Sequence, residues 1–230
     1  MNQNSSQIKY CICIDLDDTL YNEVDYVLSG YQDIIKYLEM NKKIRIKKLP
    51  KKKEILENRK THIQKFYNKN KICFSSIKFF INILRNHKPS IKISKKNIKK
   101  LELLKKHFKN LILITNGRST TQRNKINSLK IKRYFNKILI SDEIGVKKPN
   151  IKIYKKIFKE FPNTKKVFIG DNLKIDLSTP ISQNEKTILI KNKKNRIHEL
   201  NEKENDYKKI NLKYENFHNI KIKEIKKLFC

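Results

Sequence analysis

The sequence predicts an α/β fold: a doubly wound parallel sheet with a helical segment inserted after its first strand. Three observations carry this. Short, continuous apolar runs recur, of the kind buried on both faces of a parallel sheet. The last four runs alternate with segments of helical spacing, as strand–helix–strand units require. Between the first two runs lie almost a hundred residues with no strand pattern.

Ile8 to Ile14 forms the first expected strand. Val24, Val27, Leu28, Tyr31, Ile34, Ile35 and Leu38 then share one helical face, and Ile77, Phe80, Ile81 and Leu84 share another. Residues 22–90 therefore read as a helical insertion, and 1–21 with 91–230 as the core. A helix over 94–108 returns the chain to the sheet, with Ser94 as N-cap and Ile98, Leu101, Leu104 and Phe108 on its inner face. Strands follow at Leu111 to Ile114, Lys137 to Ile140, Lys166 to Ile169 and Thr187 to Ile190. One helix is marked by Ile126, Leu129 and Tyr134. Another is marked by Ile153, Tyr154, Ile157 and Phe158, with Pro149 near its start. Residues 191–216, rich in Lys and Asn, read as a surface loop, and Ile220 to Phe229 as a short amphipathic helix.

A chain of 230 residues with 38% apolar content can bury a real core. No apolar run is long enough to span a bilayer, and Met1 to Ser6 has no signal-peptide character, so a cytoplasmic location is expected. Cys11, Cys13, Cys73 and Cys230 form no CxxC pair, which argues against a zinc site or a disulfide frame. The formal net charge of +33 would ordinarily suggest nucleic acid. Yet only seven of the 55 basic residues are Arg, and the Lys residues are spread along the whole chain, as an A+T-rich coding bias produces. The densest basic tract, 42–71, reads as solvated surface that could also draw anions inward. No membrane partner is expected, nucleic acid is disfavoured, and the sequence does not reveal the oligomeric state.

The chemistry begins where the first strand ends. Ile12-Cys13-Ile14 runs straight into Asp15, Asp17 and Asp18, followed by Thr19. Carboxylates so placed repel one another unless a cation sits among them or one is protonated. Ligand sites in open parallel sheets lie beyond the carboxyl ends of the strands, so the residues after each strand belong together. They are Asp15 and Asp17; Thr115-Asn116-Gly117; Ser141 through Lys147-Lys148-Pro149; and Gly170-Asp171-Asn172 with Asp176.

This ordered set resembles the haloacid dehalogenase superfamily of phosphatases, whose motifs are DxDxT, a strand-ending Thr or Ser, a Lys before Pro, and GDxxxxD. The resemblance spans about residues 8–190 and implies a Rossmann-like core with the helical C1 cap of subfamily I. The stretches around Thr115 and from Ser141 to Pro149 are similar to the small 5′-nucleotidase and phosphatase branch. The resemblance implies a Mg²⁺-dependent phosphomonoester hydrolase working through an aspartyl phosphate. A nucleoside 5′-monophosphate is the first substrate expected, and a sugar phosphate or phosphoglycolate the alternative. It implies Asp15 as nucleophile and Asp17 as acid and base. Asp15, the main-chain carbonyl of Asp17 and Asp171 would hold the metal. Thr115, the backbone near Asn116 and Lys148 would bind the transferring phosphate, and Asp176 would orient Lys148 or a metal-bound water. Displacement of halide needs neither the acid nor a metal, so the retained Asp17 and Asp171 favour phosphoryl transfer.

Plainer readings compete residue by residue. Asp17, Asp18 and Asp176 also suit turns and caps, Thr115-Asn116-Gly117 suits a turn, and Lys147 competes with Lys148. Five His residues sit in no metal or acid spacing and are expected at the surface or partly buried. Tyr21 is expected to pack in the core rather than touch substrate. The segment after Asp176 lacks the family's usual Gly and Ala, which bears on turnover. A reading from another class is a non-catalytic, basic nucleic-acid-binding protein that keeps the scaffold, but the few Arg and absent Trp speak against it.

Overall fold

In the computed structural model, residues 9–46, 49–72, 76–192 and 205–229 are described. Met1 to Ser6, Ile8, Cys73, His198 and Cys230, and the Lys47-Lys48 part of the basic tract, lie outside them. The first strand, β1 (Tyr10–Ile14), leads into four helices: α1 (Glu23–Lys42), α2 (Lys52–Glu57), α3 (His62–Lys69) and α4 (Ile77–Asn86). Helix α5 (Lys95–His107) then enters β2 (Asn110–Thr115), and the Ser94 hydroxyl caps it by accepting from the Asn97 N–H at 3.1 Å. There follow α6 (Ser119–Ser128), β3 (Lys137–Ile140), α7 (Ser141–Ile144), α8 (Ile151–Glu160), β4 (Lys165–Gly170), a π-helical turn over Leu173–Leu177, α9 (Ser178–Ser182) and β5 (Lys186–Ile190). The chain closes with α10 (Asn205–Lys208), β6 (Leu212–Tyr214) and α11 (Ile222–Lys227).

The six strands are all parallel in the order β3-β2-β1-β4-β5-β6. β1 lies at the centre, with Ile14 in register with Leu113 on one side and Ile169 on the other. Successive strand residues point to opposite faces. Accordingly Ile12 and Ile14 pack with Leu101, Leu104 and Phe108 on one side of the sheet, while Cys11 and Cys13 pack with Ile153, Tyr154 and Ile157 on the other. This two-sided burial is why the strands read as continuous apolar runs. The inserted helices carry an apolar cluster of their own, built on Tyr31, Ile34, Leu38, Ile55, Phe66, Phe80 and Leu84. Part of the basic tract lines a cavity of about 650 Å³ on these helices, with Arg45, Lys51, Lys65 and Lys69 around Ile55 and Phe66.

Four details depart from the sequence reading. The stretch expected to be loop contains α10 and the edge strand β6, which pairs with β5 through only three half-buried residues. The helix marked by Ile126, Leu129 and Tyr134 ends at Ser128. Lys130 there takes a left-handed backbone (φ 55°), and Tyr134 falls in a separate 3₁₀ turn. The last helix starts at Ile222, after a 3₁₀ turn at Phe217–Asn219. His87 is buried, its Nδ1 bonded to the Leu84 carbonyl at 2.8 Å and its ring 4.6 Å from that of Tyr26.

Candidate active site

The carboxyl ends of the strands converge on a buried lysine. Asp15 extends the ladder of β1 by donating its N–H to the Ile169 carbonyl at 2.9 Å, which aims its side chain at the end of β4. Lys148, in the loop before α8, reaches across the sheet. Its ammonium donates to Asp15 Oδ1 at 2.5 Å, Asp176 Oδ1 at 2.6 Å and the Ile114 carbonyl at 3.0 Å. Those three acceptors match the three donors of an ammonium, and Lys148 is only 4% exposed. Asn116 grips the backbone of the same residue, accepting from its N–H at 2.8 Å and donating to its carbonyl at 3.0 Å. The structure thus brings together Asp15, Lys148, Asp171 and Asp176, and selects Lys148 over Lys147.

Asp176 is presented by the π-helical turn, a feature that recurs at functional sites. Its Oδ2 accepts from the Asn172 N–H at 2.9 Å, and the Asn172 side chain in turn accepts from the Ile175 N–H at 3.1 Å. The close approach depends on Gly170, because a Cβ there would lie 2.5 Å from Asp176 Cβ and 2.6 Å from its Oδ2. Gly170→Ala is therefore expected to push Asp176 off Lys148 and to cost about 1–3 kcal/mol. A fall of that size in urea unfolding, together with weakened activity, is the check.

One carboxylate oxygen from each of Asp15, Asp171 and Asp176 lies within 4.8 Å of the others. Three buried carboxylates lie close together, and the Lys148 ammonium is bonded to two of them, Asp15 and Asp176. Burial accordingly pushes Asp15 up to about 8; Lys148 pulls against this, and Asp176 and Asp17 add to the rise. Three converging hard oxygen donors suit a divalent cation such as Mg²⁺. The grouping contains Asp176, expected only in support. It does not contain the side chain of Asp17, whose expected contribution was a main-chain carbonyl.

Asp17 instead anchors a second network. Its Oδ1 accepts from Tyr21 at 2.5 Å and from the Lys125 ammonium at 2.7 Å, and its Oδ2 accepts from Gln122 at 2.9 Å. Burial raises the Asp17 carboxyl, but Lys125 and these hydrogen bonds outweigh it and hold the group below its ordinary value. The two aspartates of one motif are thus driven in opposite directions. Lys125 also lies 3.5 Å from Glu23 Oε1 and 4.3 Å from the Tyr26 ring centre. Tyr21 is buried as expected, but its hydroxyl faces the site. Thr115, at the end of β2, is buried and its Oγ1 accepts from Gln122. The Asn116 side chain is spent on Lys148, which leaves only its backbone to bind a ligand. Asp18 is a turn residue (φ 54°) whose Oδ1 caps α1 by accepting from the Glu23 N–H at 2.8 Å. Gln122, Lys125 and Glu23 went unread in the sequence. Their one signal is the i, i+3 spacing that places Gln122 and Lys125 on one face of α6.

The carboxyl edge of the parallel sheet thus gathers a cluster of carboxylates around a buried lysine. The sequence profile of the haloacid dehalogenase-like hydrolases matches residues 12–190, and the chain belongs to that family. Among curated relatives, glyceraldehyde 3-phosphate phosphatase from Pyrococcus abyssi is 37% identical over 81 residues, 34% of each chain. The Pyrococcus furiosus protein of the same name is 38% identical over 82 residues, again 34% of each. The chain therefore aligns with about a third of the length of these relatives. A subfamily IA haloacid dehalogenase-superfamily hydrolase from Geobacter sulfurreducens covers 100% of both chains at 15% identity, with a TM-score of 0.65. A magnesium-bound hydrolase of the superfamily from Bacillus subtilis covers 93% of this chain and 97% of its own, at 13% identity and a TM-score of 0.66. These structural likenesses show the fold. Among the described residues, no helix is long and apolar enough to cross a membrane.

Proposed function

We propose that this protein is a Mg²⁺-dependent phosphomonoesterase that hydrolyses a small sugar phosphate, a triose phosphate foremost, through an aspartyl phosphate on Asp15. The observation that carries the reading is the placement of Asp15: buried at the end of the central strand, fixed by Lys148 at 2.5 Å, and grouped with Asp171 and Asp176. The partial match to two glyceraldehyde 3-phosphate phosphatases favours a triose phosphate over the nucleoside 5′-monophosphate first expected from the motifs.

In this reading Asp15 attacks phosphorus and the ester oxygen leaves with its electron pair, taking a proton from Asp17. Asp17 then removes a proton from the water that attacks the aspartyl phosphate, which regenerates Asp15 and releases inorganic phosphate. Lys148 steadies Asp15 and balances charge as the phosphoryl group transfers. Thr115 Oγ1 accepts from Gln122, so its own proton is free for a phosphoryl oxygen, and the backbone of Asn116 offers a second donor. Asp15, the Asp17 carbonyl and Asp171 would hold Mg²⁺, whose positive charge would favour the ionised form of Asp15 and offset the substrate dianion. That dianion, arriving beside Asp17, raises its pKa toward the protonated state the first step needs.

Residues 22–90 act as the cap over this site and set substrate choice. The buried free thiols of Cys11 and Cys13 fit the reducing cytoplasm. The test is inorganic phosphate release from glyceraldehyde 3-phosphate, other sugar phosphates and nucleoside 5′-monophosphates, with Mg²⁺ and with EDTA. Metal-dependent release with the highest kcat/KM on a triose phosphate supports the reading. Preference for a nucleotide would overturn the substrate assignment, and no release from any ester would overturn the activity.

A further inference from the structure

The hydrolytic reading asks Asp17 to move a proton, and nothing in the four family motifs holds that side chain still. Two residues of α6 do. Lys125 and Gln122 are 2% and 1% exposed, yet both spend polar groups on Asp17, one on each carboxylate oxygen. Burying an ammonium is costly unless it is paired and hydrogen-bonded, and among the described residues only Lys125, Lys148 and Lys166 of the lysines are buried. Lys125 is paired on two sides, with Asp17 at 2.7 Å and Glu23 at 3.5 Å.

The occupancy of the two oxygens differs. Oδ1 takes both Tyr21 and Lys125, which exhausts its lone pairs, whereas Oδ2 takes only Gln122. The helix carrying these groups is itself tied to the inserted helices. Thr121 donates to the Arg85 carbonyl, Asn124 to the His87 carbonyl at 3.1 Å, and Ser128 to the Pro89 carbonyl. Gln122 also meets the end of β2, where a Cβ on Gly117 (φ 143°) would come within 3.0 Å of its Cγ.

We propose that Lys125 and Gln122 are positioning residues for Asp17, pinning Oδ1 and leaving Oδ2 as the oxygen that gives and takes the proton. The inference rests on the reading of Asp17 as the proton carrier. Loss of Lys125 lets the carboxylate rotate, so the group aimed at the leaving oxygen is correct only part of the time. Esters with a poor leaving group suffer most, because an alkoxide needs the proton more than a nitrophenolate does.

The test compares Lys125→Met, Gln122→Met and Lys125→Arg with the native chain on a triose phosphate and on p-nitrophenyl phosphate, alongside a crystal structure of K125M. For K125M, kcat/KM on the alkyl ester is expected to fall on the order of 10²-fold and on the aryl ester about tenfold or less, with K125R restoring most of the difference. The Asp17 carboxylate is expected to leave its native rotamer. Equal losses on both esters, or an Asp17 unmoved in K125M, would overturn the proposal. Q122M removes no charge and carries the same comparison if K125M does not fold. A native chain inert on both esters sinks the phosphatase reading, and the crystal structure then decides the positioning role by itself.

Discussion

Asp15→Asn is expected to abolish phosphate release, by on the order of 10⁴-fold or more, while stabilising the metal-free protein. The first effect follows because an amide oxygen cannot form the acyl phosphate that a carboxylate forms. The second follows from linkage. Asp15 sits at about 8 in the fold against an ordinary 3.8, so between those values the native state holds a proton that the unfolded chain has lost. Stability contributed by this group therefore falls as pH rises from about 4 and is lowest above about 8. Asparagine carries no such penalty and keeps an oxygen for Lys148. In EDTA, the Tm advantage of the variant over the native chain should widen from pH 5 to pH 8. An advantage that narrows over that range would contradict the electrostatic account of the site.

Lys148→Met is expected to fail in both respects. Its ammonium is the cation between Asp15 and Asp176, at 2.5 and 2.6 Å, and all three side chains are at least 90% buried. Removing one partner of a buried ion pair leaves uncompensated charge and costs about 3–5 kcal/mol. Burial alone would lower the Lys148 pKa, but the two carboxylates reverse this and hold it well above the usual lysine range. The ammonium is thus charged at every working pH, and no mild shift of pH reproduces the variant. Urea unfolding of K148M with and without Mg²⁺ checks the size. A loss below about 1 kcal/mol would mean that Lys148 is placed for chemistry alone.

The carboxylate–lysine centre was legible because a parallel sheet obeys a positional rule. Asp15, Lys148, Asp171 and Asp176 span more than 160 residues of chain, yet each follows a strand, and parallel strands end on one edge. The network around Asp17 was not legible in this way. Lys125 is one lysine among 48, and the polar run Ser119 to Lys125 reads as a solvated helix face. Tertiary contacts with Asp17, Glu23 and the Tyr26 ring, all about 100 residues away, bury it. The backbone near Asn116 was the expected phosphate donor, and nothing in the sequence indicated that the Asn116 side chain clamps the Lys148 backbone. Strand β6 escaped notice because Leu-Lys-Tyr is too short for alternation to register, and its pairing with β5 is set by the sheet edge it completes.

On the proposed route, phosphate passes through Asp15. The most direct test of this route is an acid quench during turnover of a triose phosphate with Mg²⁺, followed by mass spectrometry of the peptide that carries Asp15. The expected result is a phosphoryl adduct on that residue, absent in Asp15→Asn. Steady phosphate release with no adduct, or with the adduct on another side chain, would contradict it.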